Sequence, residues 1–274
     1  MDKFFFTLAL LVYCVSFVGF FIHMLTLRKE AKRWALVVLT FGFILHGTSI
    51  GARWIEAGRP PFVSFHEALS LVAFFLAGLY LLLEIKYRLK TIGTFVTPII
   101  LVTMGAAAAQ PQKIVPLPPA LHSVWLPIHA TICFVAYAVF ALAFCISVMY
   151  LIQERQIKQK RLGGLFRRLP SLDALDVMNE RCIKVGFPLL TIGIVTGSIW
   201  AEEAWGRYWG WDPKETWSLI TWFLYAAILH QRLTVGWRGK RAAIMTIIGF
   251  CAVLFTFLGV NFLLHGEHSY ATGF

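Results

Sequence analysis

Trp200-Ala-Glu-Glu-Ala-Trp-Gly-Arg-Tyr-Trp-Gly-Trp-Asp-Pro-Lys-Glu-Thr-Trp217 is the stretch around which this chain is organised. The chain has ten Trp, and six of them (Trp200, Trp205, Trp209, Trp211, Trp217 and Trp222) fall in this segment or just after it. Indole is bulky and its N–H needs a partner, so a soluble core does not gather tryptophans this way; a shallow aromatic surface at a membrane face does. A plain interfacial belt needs one or two Trp per helix end. Here they alternate with Gly206, Gly210 and charged groups, a pattern suited to receiving a flat apolar ligand. The segment closes on Asp212-Pro-Lys-Glu215, which predicts an N-cap at Asp212, Pro213 in the first turn and a capping box with Glu215.

Outward from this stretch, 58% of the 274 residues are hydrophobic and only 14% charged, far from a soluble domain. Apolar runs long enough to cross about 30 Å of hydrocarbon occur at residues 4–27, 34–54, 66–85, 91–109, 128–152, 183–200, 217–231 and 242–264. The expected architecture is therefore an all-α polytopic membrane protein of about eight transmembrane helices. The fourth run contains Pro98 and ends in Gly105 and an Ala tract, and the seventh is short. The first run has no small-residue cleavage site after it and is expected to be retained as a helix.

Of the 25 Lys and Arg, 19 lie in four alternate connections, 28–33, 86–90, 155–184 and 232–241. The positive-inside rule makes these cytoplasmic and puts both termini on the extracytoplasmic side, together with the loops at 55–65, 110–127 and the Trp-rich segment. The net charge of +11 is thus a topology signal, and no patch or motif points to nucleic acid. The chain reads as one integral membrane domain, 1–274. Residues 1–65 form two spans and an outer loop, and 66–200 form spans three to six with a basic cytoplasmic loop at 153–182. Residues 201–217 are the Trp-rich outer loop, and 218–274 are the last two spans and an outer tail. Within the cytoplasmic loop, the residues after Ser171 are expected to form a short capped helix along the membrane surface.

Five isolated Cys (14, 133, 145, 182, 251) include no Cys-x-x-Cys, so neither a dithiol nor a zinc site is written here. Glycine-rich nucleotide motifs and His-Glu-x-x-His are also missing. The eight His remain as metal-ligand candidates. His129 opens the fifth span and His268 follows the eighth, both on the Trp-loop face, where two imidazoles can hold haem iron with the aromatic loop over the ring. His230 lies about 20 Å deeper than Trp217 at 1.5 Å per residue, near the cytoplasmic boundary, with His23 at a similar depth. His46 and His66 are expected as satisfied polar residues between helices. His122 sits in an outer loop, and His265 is a rival to His268.

Four spaced segments carry a family resemblance. Trp205-Gly-Arg-Tyr-Trp-Gly-Trp-Asp-Pro-Lys-Glu-Thr-Trp217 resembles the tryptophan-rich WWD signature of the haem-handling proteins of cytochrome c biogenesis, most closely the CcsA (ResC) type. Ser123–His129 resembles the segment with the first outer haem-ligating His, Trp222–His230 the helix with the intramembrane His, and Val260–Tyr270 the segment with the second outer His, at His268. Arg53–Leu69 resembles the family's outer loop, with His66 as a departure. The resemblance implies haem b as cofactor, with His129 and His268 as outer iron ligands and His230 as an inner ligand paired with a His of a partner. It also implies contacts from Trp205, Trp209, Trp211, Asp212 and Trp217, and it makes Arg207 and Lys214 candidates for the propionates. The implied function is haem transport and covalent attachment to apocytochrome c, as a haem lyase subunit working with a CcsB (ResB)-type membrane protein in the lipid bilayer of a cytoplasmic or thylakoid membrane. Two other classes stay open: a transporter gated by the Trp loop, and a haem-binding membrane protein with a regulatory or electron-transfer role.

Overall fold

The computed structural model describes residues 1–87, 91–114, 116, 122–161 and 163–264. The described residues are all helical, with no strand among them. The helices are α1 (Asp2–Thr26), α2 (Lys29–Ala57), α3 (Phe65–Tyr87), α4 (Gly93–Ala108), α5 (Trp125–Lys158), α6 (Gly164–Arg168), α7 (Leu172–Trp205), α8 (Pro213–His230), α9 (Lys240–Leu254) and α10 (Val260–Leu263). Two π turns, Gln231–Val235 and Phe255–Gly259, follow α8 and α9.

Among the described residues, six helices are long and apolar enough to cross a membrane: α1, α2, α3, α5, α7 and the unit Lys240–Leu263. The fourth and seventh apolar runs are also helical, as α4 with Pro98 inside its 16 residues and α8 with 18, but neither is among those six. Hydropathy therefore locates each of the long helices, though not the short α6, and among the described residues six reach spanning length and composition by themselves.

One expectation is corrected. The Ser171 cap is present, its side chain accepting from the Ala174 N–H at 3.3 Å. The helix it starts does not end before the membrane segment, however, but runs unbroken for 34 residues to Trp205, through Pro188. Polar residues in its first turns are the reason they read as a separate element. Asp176 and Glu180 are held from the far side by Arg232, whose guanidinium meets Asp176 Oδ2 at 3.1 Å and Glu180 Oε2 at 3.5 Å.

α5 lies at the centre, and its buried positions are rich in small residues, including Ala130, Ala136, Ala138, Ala141 and Ala143. In lipid there is no hydrophobic drive between helices, so close contact across small residues and scattered polar bonds hold a bundle together. Both occur here. Phe140 of α5 stacks on Tyr225 of α8, with ring centres 3.7 Å apart. Asn179 of α7 donates to Ser147 Oγ of α5 at 2.7 Å and accepts from Thr246 of α9 at 3.3 Å. Trp222 Nε1 donates to Thr191 at 2.9 Å, joining α8 to α7. Each such bond contributes about 0.6 kcal/mol in a membrane. Outward-facing positions are large and apolar, among them Phe4, Leu11, Val15 and Val18 on α1 and Trp34, Val37, Phe41 and Ile44 on α2. Surfaces of this kind are what a protein presents to hydrocarbon.

Candidate functional site

At the Trp-loop end of the bundle, α7 stops at Trp205, where Gly206 takes the left-handed conformation (φ 70°) and donates its N–H to Glu202 O at 2.8 Å. The chain then turns through Arg207–Trp211 into α8. The predicted capping box is complete. Asp212 accepts from the Lys214 N–H at 3.1 Å, and Glu215 Oε2 accepts from the Asp212 N–H at 3.1 Å and the Gly210 N–H at 2.8 Å. One carboxylate thereby holds both the helix start and the loop before it. A Cβ at Gly210 would meet Arg207 Nε at 2.6 Å, so the guanidinium lies close over this backbone. Trp211 next to it carries a positive φ of 57°, which a non-glycine residue adopts only where its surroundings impose it.

The six clustered tryptophans divide. Trp200 and Trp209 line an open recess beneath the loop, with a cavity volume of about 170 Å³. Trp205 packs edge-on against Trp200 with ring centres 5.0 Å apart. Trp211 is exposed and touches Trp209 edge-on at 5.8 Å. Trp217 packs on Phe255 at 4.2 Å, and Trp222 is the interhelical donor described above. The shelf is therefore smaller than the sequence pattern suggests, because the last two indoles are used in helix packing.

His129 lines the same recess, half-buried at the first turn of α5. Its Nδ1–H donates to Gly193 O of α7 at 2.7 Å. A carbonyl only accepts, so this bond fixes the tautomer and puts the lone pair on Nε2, the arrangement found for ligating imidazoles. The ring lies nearly parallel to Trp200, with centres 6.2 Å apart and planes 18° apart. Gly197 gives it room, since a Cβ there would fall 2.7 Å from Cε1. Lys214 also lines the recess, just ahead of the seventh apolar run. No acidic side chain forms an ion pair with Lys214 among the described residues. A half-buried ammonium in such a place attracts an anionic partner.

The recess also has walls that sequence reasoning did not single out. Phe62, Val63, Ser64 and Phe65 come from the loop before α3, Cys133 and Phe134 from α5, and Phe257 and Asn261 from the end of the last helical unit. Asn261 is three residues short of the last described position, Leu264; His265 and His268 lie outside the described residues. Arg207 is exposed and does not line the recess, and Asp212 is buried in its capping role.

The remaining histidines separate clearly. His230 ends α8, exposed, with Nδ1 3.2 Å from Thr234 Oγ1 on the π turn. His23 donates from Nδ1 to Arg28 O at 2.9 Å, inside its own turn. His46 is fully buried between Ser70 Oγ at 2.8 Å and the Tyr13 hydroxyl at 3.4 Å. His66 donates to Ala107 O at 2.8 Å. His46 and His66 are thus satisfied interhelical residues, as expected from the sequence.

Comparison with known proteins agrees with this architecture. Residues 62–268 match the family model described as cytochrome C assembly protein. The chain is 38% identical over 275 residues to the cytochrome c biogenesis protein CcsA of Porphyra purpurea, covering 86% of each chain. It is 35% identical to that of Trieres chinensis, covering 96% of this chain and 92% of the relative. For the Synechococcus elongatus protein of the same name the identity is 37%, covering 81% and 82%. Among solved structures it superimposes on the cytochrome c haem lyase CcmF with a TM-score of 0.71 at 17% identity, a likeness of fold. The match covers 97% of this chain and 47% of that structure, so the chain spans about half the length of that neighbour. A matching family model over residues 62–268, with close relatives along most of the length, shows that the chain belongs to the cytochrome c assembly protein family, with relatives of the CcsA type.

Proposed function

We propose that this protein presents haem b, as substrate, for covalent attachment to apocytochrome c on the extracytoplasmic side of its membrane. In this reading it crosses the bilayer eight times, with α4 and α8 as the fourth and seventh spans, and both termini lie outside. His129 and His268 are the axial ligands of the outer haem. His230 holds haem at an inner site together with a His of a CcsB (ResB)-type partner, and haem passes from there to the recess. The chain acts as the haem lyase subunit of that pair, in a cytoplasmic or thylakoid membrane.

The observation that carries the reading is His129, oriented by Gly193 O at 2.7 Å inside a recess lined by Trp200, Trp209 and Lys214. The enclosed part of the recess is about 170 Å³, less than the roughly 300–1,000 Å³ of small-molecule sites, so in this reading the porphyrin sits partly in the open mouth. Trp200 and Trp209 supply faces for a porphyrin, with Trp205 behind Trp200, and Lys214 supplies a cation for a propionate. Trp211, exposed at the rim, is placed to meet the arriving polypeptide. Each thioether forms when a substrate S–H adds across a vinyl C=C, with no net oxidation, so the chain needs no thiol of its own. Its task is to hold the vinyl edge open to two thiols, and orientation of this kind removes about 7–11 kcal/mol of barrier in favourable cases.

The test is to purify the protein with its partner and record haem content and spectrum for His129→Ala, His268→Ala and His230→Ala. The first two are expected to lose the outer haem, and the third the inner haem while the outer ligands stay competent. Unchanged haem content and spectrum in His129→Ala and His268→Ala would refute the ligand pair.

A further inference from the structure

We infer that Glu67, held by Arg53 and Arg59, is a positioning residue for the recess: it sets the aromatic wall that faces His129. This rests on the reading above and adds to it a set of residues outside the Trp loop and the histidines.

Glu67 lies on the third residue of α3 and is 1% exposed, with Arg53 at 4% and Arg59 at 7%. Its Oε1 accepts from Arg53 Nε at 2.7 Å. Oε2 accepts from Arg59 at 3.2 Å and from the backbone N–H groups of Val63 at 2.9 Å and Ser64 at 3.1 Å. Arg53 reaches further, to Asp2 Oδ2 at 2.8 Å and to the carbonyls of Gln112 and Lys113 at 3.2 and 3.3 Å. Five stretches of chain meet at this one carboxylate–guanidinium pair: the start of α1, the end of α2, the loop before α3, α3 itself and the segment after α4.

A buried charge network of this extent is a poor way to gain stability, since well-packed apolar residues do as well or better. What it does here is geometric. The loop starts with Pro60 and Pro61, which have no N–H to donate, and the next two free N–H groups after Phe62 turn inward onto Glu67. That curvature delivers Phe62 against Phe134, nearly parallel at 20° with centres 6.4 Å apart. It also places Phe65 against Phe257 at 5.8 Å and edge-on to Phe262 at 5.1 Å. Phe62, Phe65, Phe134 and Phe257 all line the recess together with His129, Trp200 and Trp209. Phe262 lies in α10, at the end of the described chain.

Helix α3 contains its own control. Glu84, near its other end, is also buried and is paired with Lys32 at 2.5 Å, but it lies away from the recess. Removing charge at either end breaks a buried ion pair; only the Glu67 end moves the wall.

The experiment compares Glu67→Gln, Glu67→Asp, Arg53→Lys and Glu84→Gln in the full chain with its partner. Deuterium uptake over residues 59–66 reports the loop, and haem retention and spectrum report the outer site. Glu67→Gln and Arg53→Lys are expected to raise uptake over that segment and to lower outer-haem retention about tenfold with an altered spectrum, and Glu67→Asp to restore part of both. Glu84→Gln is expected to change neither. Unaltered uptake in Glu67→Gln, or altered uptake with wild-type haem, overturns the inference. Equal losses in Glu67→Gln and Glu84→Gln overturn it too, by reducing Glu67 to ordinary stabilisation. If His129→Ala also keeps its haem, the functional reading is what has failed, and the positioning role falls with it.

Discussion

Replacing Gly197 with Ala tests the His129 geometry without touching the imidazole. The added Cβ would lie 2.7 Å from His129 Cε1 and 2.8 Å from Nδ1, where carbon contacts are comfortable at about 3.5–4.0 Å. The ring must therefore retreat by about 0.8 Å or more. The Nδ1–H bond to Gly193 O, now 2.7 Å, then leaves the range of a good N–H···O bond, which ends near 3.2 Å. Overpacking costs about 1–3 kcal/mol, and the lost hydrogen bond adds about 0.5–1.5 kcal/mol. Since 1.4 kcal/mol is tenfold, haem retention at the outer site should fall about 10- to 1,000-fold when the whole cost is felt there. Helix propensity pulls the other way, because Gly→Ala inside a helix gains up to about 1 kcal/mol. Two matched controls exploit that sign: Gly51 and Gly105 are also helical, and a Cβ at either meets nothing within 4 Å. Gly51→Ala and Gly105→Ala should hold or raise the thermal midpoint and keep the haem. The assay is haem content and absorption spectrum of the purified complex beside thermal unfolding. Wild-type haem in Gly197→Ala, or equal loss in all three variants, would refute the argument that the glycine exists to seat the imidazole.

Two further outcomes follow from the structure. Glu215→Ala removes the acceptor for the Gly210 and Asp212 N–H groups, so α8 should lose about 0.5–2 kcal/mol of capping and the Trp209 loop its anchor; this is read as increased deuterium uptake over residues 206–214 with reduced haem retention. Asp176→Asn weakens the hold on Arg232, whose side chain is 2% exposed, and, with Glu180 still paired to the guanidinium, should cost about 1–3 kcal/mol in thermal unfolding, whereas Lys158→Ala, which breaks an exposed pair with Glu154, should cost at most about 1 kcal/mol.

Hydropathy and capping chemistry are local, and for that reason they are legible in the chain. The apolar runs become helices because each satisfies its own backbone groups. The Asp212–Glu215 box and the Ser171 cap form as written, since the partners are three residues apart. The satisfied state of His46 and His66 is legible too, because a lone imidazole among apolar residues needs a partner from a neighbouring helix. The length of α7 is less so, because Asp176 and Glu180 look like a surface segment until Arg232, some fifty residues on, pairs with them.

What the sequence by itself determines is an all-helical, apolar chain with an aromatic loop capped onto a helix, and a histidine at the start of the fifth apolar run. Only the tertiary structure decides that this histidine is turned by Gly193, that Trp217 and Trp222 belong to helix packing, and that Phe62 and Phe65 join the recess wall from a loop held by the Arg53–Glu67 pair. The physical reason is that caps and hydropathy act over a few residues. A cavity wall depends instead on which distant side chains the packed helices bring within bonding distance, and no local pattern encodes that.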